Sequence, residues 1–383
     1  MASAAVLPEL PSFKGVPGWE FTDLSKLDID TYPPVAGGGE EGASLFPDLD
    51  AAGDYGDAIV MPLDEAAQQH PDLVDRHLGT VVSSDDPFVA RNEAALGAGS
   101  FVYVPRGVQL TVPVLLTAVQ SQPKTALNWR VLIVLEEGAS AEVWEQYLSA
   151  TEDADGLFNT VVELVVGPNA HLRFVSGQAL NEKSWIFGTQ RAVVERDGSL
   201  DWVALGFGSA RGKVRMETQL AGEGSSAKVT GAYAGHGRQH LDFDTTQEHA
   251  AANTTSDLAF RGVLEGRSTA VWRGMIKVDP GAQQTDAFQE SRNLLLSKRA
   301  HADAIPGLEI EANDVRCTHA AAIAQIDPDQ VYYLMSHGIP RSAATRLVIE
   351  GFLAELVGRF EEGPVRERLA SALQTRLETV LGA

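Results

Sequence analysis

The spacing of apolar residues divides the chain into three stretches of different texture. Residues 1–60 are rich in turn-formers, including Pro33-Pro34 and Gly37-Gly38-Gly39, with scattered acids. They predict loops carrying only short elements. Residues 62–97 predict three short helices, over 63–70, 72–78 and 87–96. Pro71 and Pro87 suit first turns, where a missing N–H costs nothing, and Gly79 and Gly97 suit helix ends.

From Phe101 the pattern becomes short, alternating or β-branched runs. Strands are predicted over 101–104, 108–116, 131–135, 141–147, 161–166, 171–175 and 191–194. Further runs follow over 200–204, 213–220, 227–232, 258–264, 270–278 and 308–310, each bounded by Gly, Asn, Asp or Pro. A loose unit recurs between them: a glycine, one or two small or polar residues, then a new strand. It appears at Gly138-Ala139-Ser140, Gly167-Pro168-Asn169, Gly198-Ser199-Leu200, Gly266-Arg267-Ser268 and Gly281-Ala282-Gln283. Many short strands without intervening helices fit a sandwich, a barrel or a β-helix, and the pattern alone does not choose among these.

After Ile326 the period returns to that of a helix. Asp327 is a good N-cap, Pro328 a good first residue and Gly338 a good stop. A second helix from Arg341 aligns Val348, Phe352, Leu356 and Phe360. A third from Pro364 aligns Val365, Leu369, Leu373, Leu377 and Leu381. Both carry Arg and Glu on the opposite face, the mark of amphipathic helices that pack on each other or on a partner.

Composition narrows the function. With 44% hydrophobic and 21% charged residues the chain can build a core. Its 30 basic and 52 acidic residues give a formal charge of −22, which repels phosphate backbones and argues against a nucleic-acid partner. Cys317 is the single cysteine, so this chain forms no internal disulfide framework, as suits a reducing cytosol. Nor can it hold a conventional iron–sulfur cluster alone, which takes about four thiolates. The start, residues 1–11, lacks the basic and apolar segments of a signal peptide. No apolar run approaches the ~18–20 residues that span a bilayer.

Motifs of nucleophilic or phosphate chemistry are missing: there is no G-x-S-x-G, P-loop or C-x-x-C. His236 and His240 have helical metal-ligand spacing, with His249 beyond. Gly231, Gly235 and Gly237 argue against a helix, and on a strand the pair would lie ~13 Å apart, too far for one ion. The segment 313–319 is more informative. If extended, it puts Cys317 and His319 on one face ~6.6 Å apart. Thiolate and imidazole are both competent iron ligands. By burial habit alone, Cys317 reads as a small hydrophobe and His319 as a satisfied polar residue.

The same segment carries a resemblance. Phe288-Gln289, Leu294-Leu295-Leu296-Ser297, Pro306-Gly307-Leu308-Glu309-Ile310 and Asn313-Asp314-Val315-Arg316-Cys317-Thr318-His319 resemble the SufB/SufD family of iron–sulfur cluster assembly proteins. So do Ile326-Asp327, Tyr332-Tyr333-Leu334, Gly338-Ile339-Pro340 and Gly351-Phe352. Upstream, Gly18-Trp19-Glu20-Phe21-Thr22 and Phe101-Val102-Tyr103-Val104-Pro105-Arg106-Gly107 match as well.

The resemblance implies a mainly β protein: a right-handed parallel β-helix core with N-terminal and C-terminal α-helical regions. The implied division is 1–97, 98–326 and 327–383. It also implies a non-catalytic scaffold subunit of the cytoplasm that pairs with SufB through the β-helix and docks one SufC ATPase. The docking region is 327–362, with Tyr332, Tyr333, Ile339, Leu347 and Phe352 as candidate contacts. No cofactor is expected on the chain alone, only a transient iron–sulfur cluster shared with SufB.

Two positions favour the SufD branch. Glu290 stands where SufB-like chains carry a scaffold cysteine, and Thr318-His319-Ala320 replaces their Glu-His-Glu. His319, with Cys317, is therefore the candidate metal ligand at the subunit interface. Ala320-Ala321-Ala322 and Met335-Ser336-His337 depart from the family pattern beside these sites. Two other readings remain: a SufB-like or homodimeric scaffold, and, remotely, a β-helix enzyme acting on polysaccharide, for which no carboxylate pair stands out.

Overall fold

The computed structural model describes residues 7–25, 27–35, 44–49 and 53–382; the predicted glycine-rich loop at 37–39 and the first residues of the chain lie outside them. Two parallel sheets face each other and share one lumen. The first runs β1 (Ile59–Pro62), β2 (Ala98–Val104), β4 (Ala126–Leu135), β6 (Leu157–Val166), β8 (Trp185–Val194), β10 (Arg211–Leu220), β12 (His240–His249), β14 (Thr269–Val278) and β16 (His301–Ile310). The second stacks β3 (Val114–Gln120), β5 (Ser140–Ser149), β7 (His171–Ala179), β9 (Ser199–Gly206), β11 (Ser226–Gly235), β13 (Thr255–Leu264), β15 (Thr285–Leu295) and β17 (Val315–Gln325). Successive strands alternate between the sheets, so the chain winds as a parallel β-helix of about eight coils. Of the architectures that strand pattern left open, this is the one formed.

Turn chemistry explains why the coils stack so regularly. At one corner a left-handed residue recurs on each coil: Gly107, Gly138, Asn169, Asp197, Gly224, Asn253 and Gln284, with φ between 55° and 76°. Each donates its N–H to a carbonyl of the next coil, as in Gly138 to Pro168 at 2.8 Å and Asn253 to Gln283 at 2.9 Å. Gly, Asn and Asp are the residues that reach this backbone region at least cost, which is why the loose glycine unit was readable while its period was not.

Alternation along each strand sends every second side chain into the lumen. There Trp129, Tyr147, Phe158, Phe174, Trp202, Phe243, Phe260 and Trp272 form a continuous buried core. The lumen is not wholly apolar: the fully buried Glu145 accepts from Trp129 Nε1 at 2.8 Å and from the Tyr147 hydroxyl at 2.6 Å. Polar lumen residues also account for two strands that the sequence pattern missed, β12 and β15, the latter with Gln289, Ser291 and Asn293 inside. In β12 the inward positions are Leu241, Phe243, Thr245, Gln247 and His249, three of the five hydrophilic.

Helices cover the outer faces. α1 (Leu63–Gln69), α2 (Pro71–His77) and α3 (Pro87–Ala94) close the start of the first sheet, where Leu63, Ala66 and Val74 pack on Phe101, Leu132 and Val134. Gly79, in the left-handed region after α2, and Val81 donate their N–H groups to the buried Glu163, which also pairs with Arg130 at 2.6 Å. The strand β1 lies in a stretch predicted as loop; it pairs antiparallel with β2. At the other end come α4 (Pro328–Ser336), α5 (Arg341–Val357) and α6 (Pro364–Leu381). The apolar stripes of α5 and α6 do more than pack on each other: Ile349, Leu353, Leu356, Leu369, Leu373 and Leu377 join Trp144, Val203, Leu205 and Val263 on the outside of the second sheet.

The segment before β1 is a strap across the first sheet. Trp19, Phe13 and Phe88 cluster with ring centres 4.3–5.9 Å apart, and Phe88 stacks on Phe187 at 4.0 Å. Thr22 donates to Asp242 at 2.5 Å, and Asp242 pairs with the buried Lys213 at 3.0 Å. Glu20 meets Arg273 at 2.8 Å. The Gly18-Trp19-Glu20-Phe21-Thr22 segment is thus an anchor on the β-helix. Among the described residues, no helix is long and apolar enough to cross a membrane.

Candidate partner interface at the open end of the β-helix

The last coil is unfinished. β16 pairs only with β14, and β17 only with β15, so each sheet ends in a strand with one free edge. Edge strands present unpaired N–H and C=O groups that another chain can complete. Most lumen positions become exposed here because no further coil covers them. Leu308, Ile310 and Ile323 are 37%, 41% and 45% exposed, an unusual setting for large aliphatic side chains.

Cys317 and His319 both lie on β17, in register with Ala287 and Gln289 of β15. Those two partners are buried lumen residues, so the pair continues the lumen face at its mouth. Cys317 is half-buried against Ile276, Val278 and Ala287. Burial, and then the Asp286 carboxylate, push its thiol above the usual range and hold it protonated. His319 is exposed. Beside it, Gln289 Nε2 donates to the carbonyls of Gly274 and Gly307, at 3.2 and 3.1 Å. Among the described residues no group of three or more His, Cys, Asp or Glu is placed to hold a metal ion. An exposed imidazole and a half-buried thiol thus share the mouth face of one strand.

The other histidines do not join them. His236 sits in a turn and pairs with Glu182. His240 Nδ1 lies 2.8 Å from Thr269 Oγ1 and its Nε2 lies 3.3 Å from Thr22 Oγ1. His249 is buried between the hydroxyls of Thr254 and Ser256, at 2.8 and 2.9 Å. Desolvation lowers the pKa of His249 to about 4, so it is a neutral core residue.

The candidate docking residues divide by exposure. Tyr332 and Tyr333 on α4 are 71% and 63% exposed; Leu347 on α5 is also exposed, and Met335 adds to the same surface. Ile339, between the two helices, is partly covered. Phe352 is partly buried on the second sheet, with the Arg261 guanidinium 5.9 Å from its ring centre.

That guanidinium belongs to a network invisible to motif reading. Arg261 on β13 pairs with Glu290 on β15 at 2.6 Å, and both reach Glu355 and Arg292: Arg261 to Glu355 at 3.3 Å and Arg292 to Glu290 at 3.1 Å. Glu290 therefore faces outward beneath α5, away from the lumen. Arg359 adds a second tie, to Asp257 at 3.1 Å and to Thr230 Oγ1 at 3.0 Å. The helices are fixed to the β-helix near its open end, which leaves Tyr332 and Tyr333 projecting beside it.

Comparison with known proteins agrees with this architecture. Residues 117–352 match the family model described as "SUF system FeS cluster assembly, SufBD core domain", and residues 54–116 match "SufBD protein N-terminal region". The chain is 33% identical over 317 residues to the iron–sulfur cluster assembly protein SufD of Bacillus subtilis, covering 82% of this chain and 72% of that protein. It is 30% identical over 308 residues to an iron–sulfur cluster assembly SufBD family protein of Synechocystis, covering 78% and 64%. A Staphylococcus saprophyticus protein of the same family is 28% identical over 297 residues, covering 77% and 64%. The chain thus spans just under two thirds of the length of the latter two relatives.

Proposed function

The chain belongs to the SufBD family of iron–sulfur cluster assembly proteins, and from that premise we propose that it is a SufD-type scaffold subunit without catalysis of its own. It pairs with SufB through the open end of its β-helix and docks one SufC ATPase through its C-terminal helices. One observation carries the reading. Both sheets end at the same end in a strand with one free edge, and that end displays Leu308, Ile310 and Ile323 to solvent. A neighbour's strands would satisfy the free backbone groups and cover the aliphatic side chains together.

In this role the cluster is cargo. His319 and Cys317 sit on the mouth face of the terminal strand, where a partner could complete the ligand set that this chain lacks. A neutral imidazole can donate a lone pair to iron directly; the Cys317 thiol must first lose its proton, which burial disfavours. The imidazole is accordingly the readier contribution. SufC acts from the side: α5 is tied to β13 and β15 through Arg261 and Glu290, so movement of a docked ATPase would pull on the strands that end at the open mouth. The supports for this part are the exposed tyrosines of α4 and the ionic anchoring of α5.

The test is His319→Ala co-expressed with SufB and SufC, followed by iron and sulfide analysis of the purified complex. A complex that assembles with much less iron and sulfide supports the reading. An intact complex with undiminished content reduces His319 to a structural residue. Size-exclusion of the chain alone distinguishes a homodimer built on the same edge from a chain that awaits SufB.

A further inference from the structure

Away from the open end, three arginines converge on a pocket where the strap crosses the first sheet. The pocket holds about 310 Å³ and is lined by Phe21, Asp23, Arg211, Arg238, His240 and Arg267, with Thr269 at its floor. That volume lies at the lower end of the range for small-ligand sites, roughly 300–1,000 Å³. It is too small for a folded partner.

Strand register builds the site. Arg211, His240 and Thr269 occupy equivalent positions on β10, β12 and β14, one above another. Arg238 and Arg267 each follow a left-handed glycine, Gly237 and Gly266, in successive turns, and the Arg267 N–H donates to the Gly237 carbonyl at 2.8 Å. The turns therefore set the two arginines on neighbouring coils, both at the pocket wall. His240 is fixed on both ring nitrogens by Thr269 and Thr22, so the floor is rigid.

The charge is what sets this pocket apart. On a chain of charge −22, several arginines on the strands of the β-helix are matched: Arg173 with Glu142 and Asp201, Arg191 with Glu217 and Glu248, Arg273 with Glu20 and Asp244. Arg211, Arg238 and Arg267 have no ion pair among the described residues. The one acid on the wall, Asp23, accepts from the Ser25 N–H at 2.9 Å and offsets only one of the three guanidinium charges. Three like charges gathered in a recess repel one another and gain most from an anion with several oxygens, which guanidinium forks bind in bidentate fashion. The exposed ring of Phe21 supplies a flat apolar wall beside them.

We propose that this recess binds a small phosphorylated molecule, its phosphate held by Arg211, Arg238 and Arg267 and its organic part lying against Phe21. Binding would also pin the strap, since Phe21 and Thr22 are neighbours and Thr22 is bonded to His240 and Asp242.

The test is isothermal titration of the full chain at low ionic strength with inorganic phosphate, pyrophosphate and AMP as separate probes. One saturable site is expected, with AMP bound at least tenfold more tightly than phosphate. Arg238→Ala and Arg267→Ala should each weaken pyrophosphate at least tenfold with unchanged melting temperature, because both side chains are exposed in turns. Arg366→Ala, on α6, should leave binding as it is. Phe21→Ala should remove the preference for AMP while sparing phosphate. No saturable binding at millimolar pyrophosphate overturns the proposal, as does binding that the Arg238→Ala, Arg267→Ala double variant leaves intact. Equal affinity for phosphate and AMP overturns the role of Phe21.

Discussion

Arg261 and Glu290 form an ion pair at 2.6 Å on adjacent strands, almost wholly buried beneath α5. Each has lost most of its water in this position, and the rim partners Glu355 and Arg292, themselves about half-exposed, replace a missing partner only in part. Glu290→Ala should cost about 3 kcal/mol or more of unfolding free energy. Glu355→Ala, at the exposed rim of the same network, should cost well under about 1 kcal/mol. Urea denaturation of the two variants checks the contrast; equal costs would show that the network does not anchor the helix.

Glu145 gives the protein a stability that depends on pH. Desolvation raises its pKa to about 7, against which the Tyr147 and Trp129 hydrogen bonds work only partly. A carboxyl whose folded pKa lies above its unfolded value keeps its proton in the folded chain while the unfolded chain has lost it. Its contribution is therefore neutral at low pH, turns unfavourable as pH rises from about 4.5 to about 7, and stays constant above. Glu145→Gln should flatten the stability profile across that window and unfold later than the parent at pH 8. A variant with the parent's pH profile would place the titration elsewhere.

Ile323→Asp puts a charge on the free edge of β17 without touching the core, since that side chain is 45% exposed. The expected outcome is an unchanged melting temperature together with loss of SufB in co-purification. Retention of SufB at parental yield would move the pairing surface away from the open end.

Tyr332→Ala combined with Tyr333→Ala strips the exposed face of α4 and leaves the sheet-facing stripe of α5 in place. SufC should be lost from the complex while SufB is kept. Far-ultraviolet circular dichroism should not change. Loss of both partners would instead point to collapse of the C-terminal helices.

The parts of the molecule legible in the sequence are those where side-chain chemistry follows local geometry. Ala270–Val278 and Lys213–Leu220 read as strands because their inward positions are mostly apolar, and Pro71, Pro87 and Pro328 marked helix starts that the structure has. β12 escaped because its lumen positions include Thr245, Gln247 and His249. The run 108–116 alternates like a strand, yet β3 begins only at Val114, because Gly107 turns the chain and Gln109 makes just an isolated bridge to Ser140. Cys317 and His319 could be put on one face from period two alone. Arg261 and Glu290 could not be paired so, because their proximity depends on the length of a coil, which irregular turns conceal.

The two ends of the coil are not alike. At the start, β1 runs antiparallel across β2, an orientation that no further parallel coil can extend, while at the finish β16 and β17 remain available. In the first sheet, then, parallel growth is open at one tip only, and two such rods joined tip to tip through it leave nothing further to add on that side. The antiparallel first strand caps that sheet alone, since β3 keeps a free edge at the start of the second.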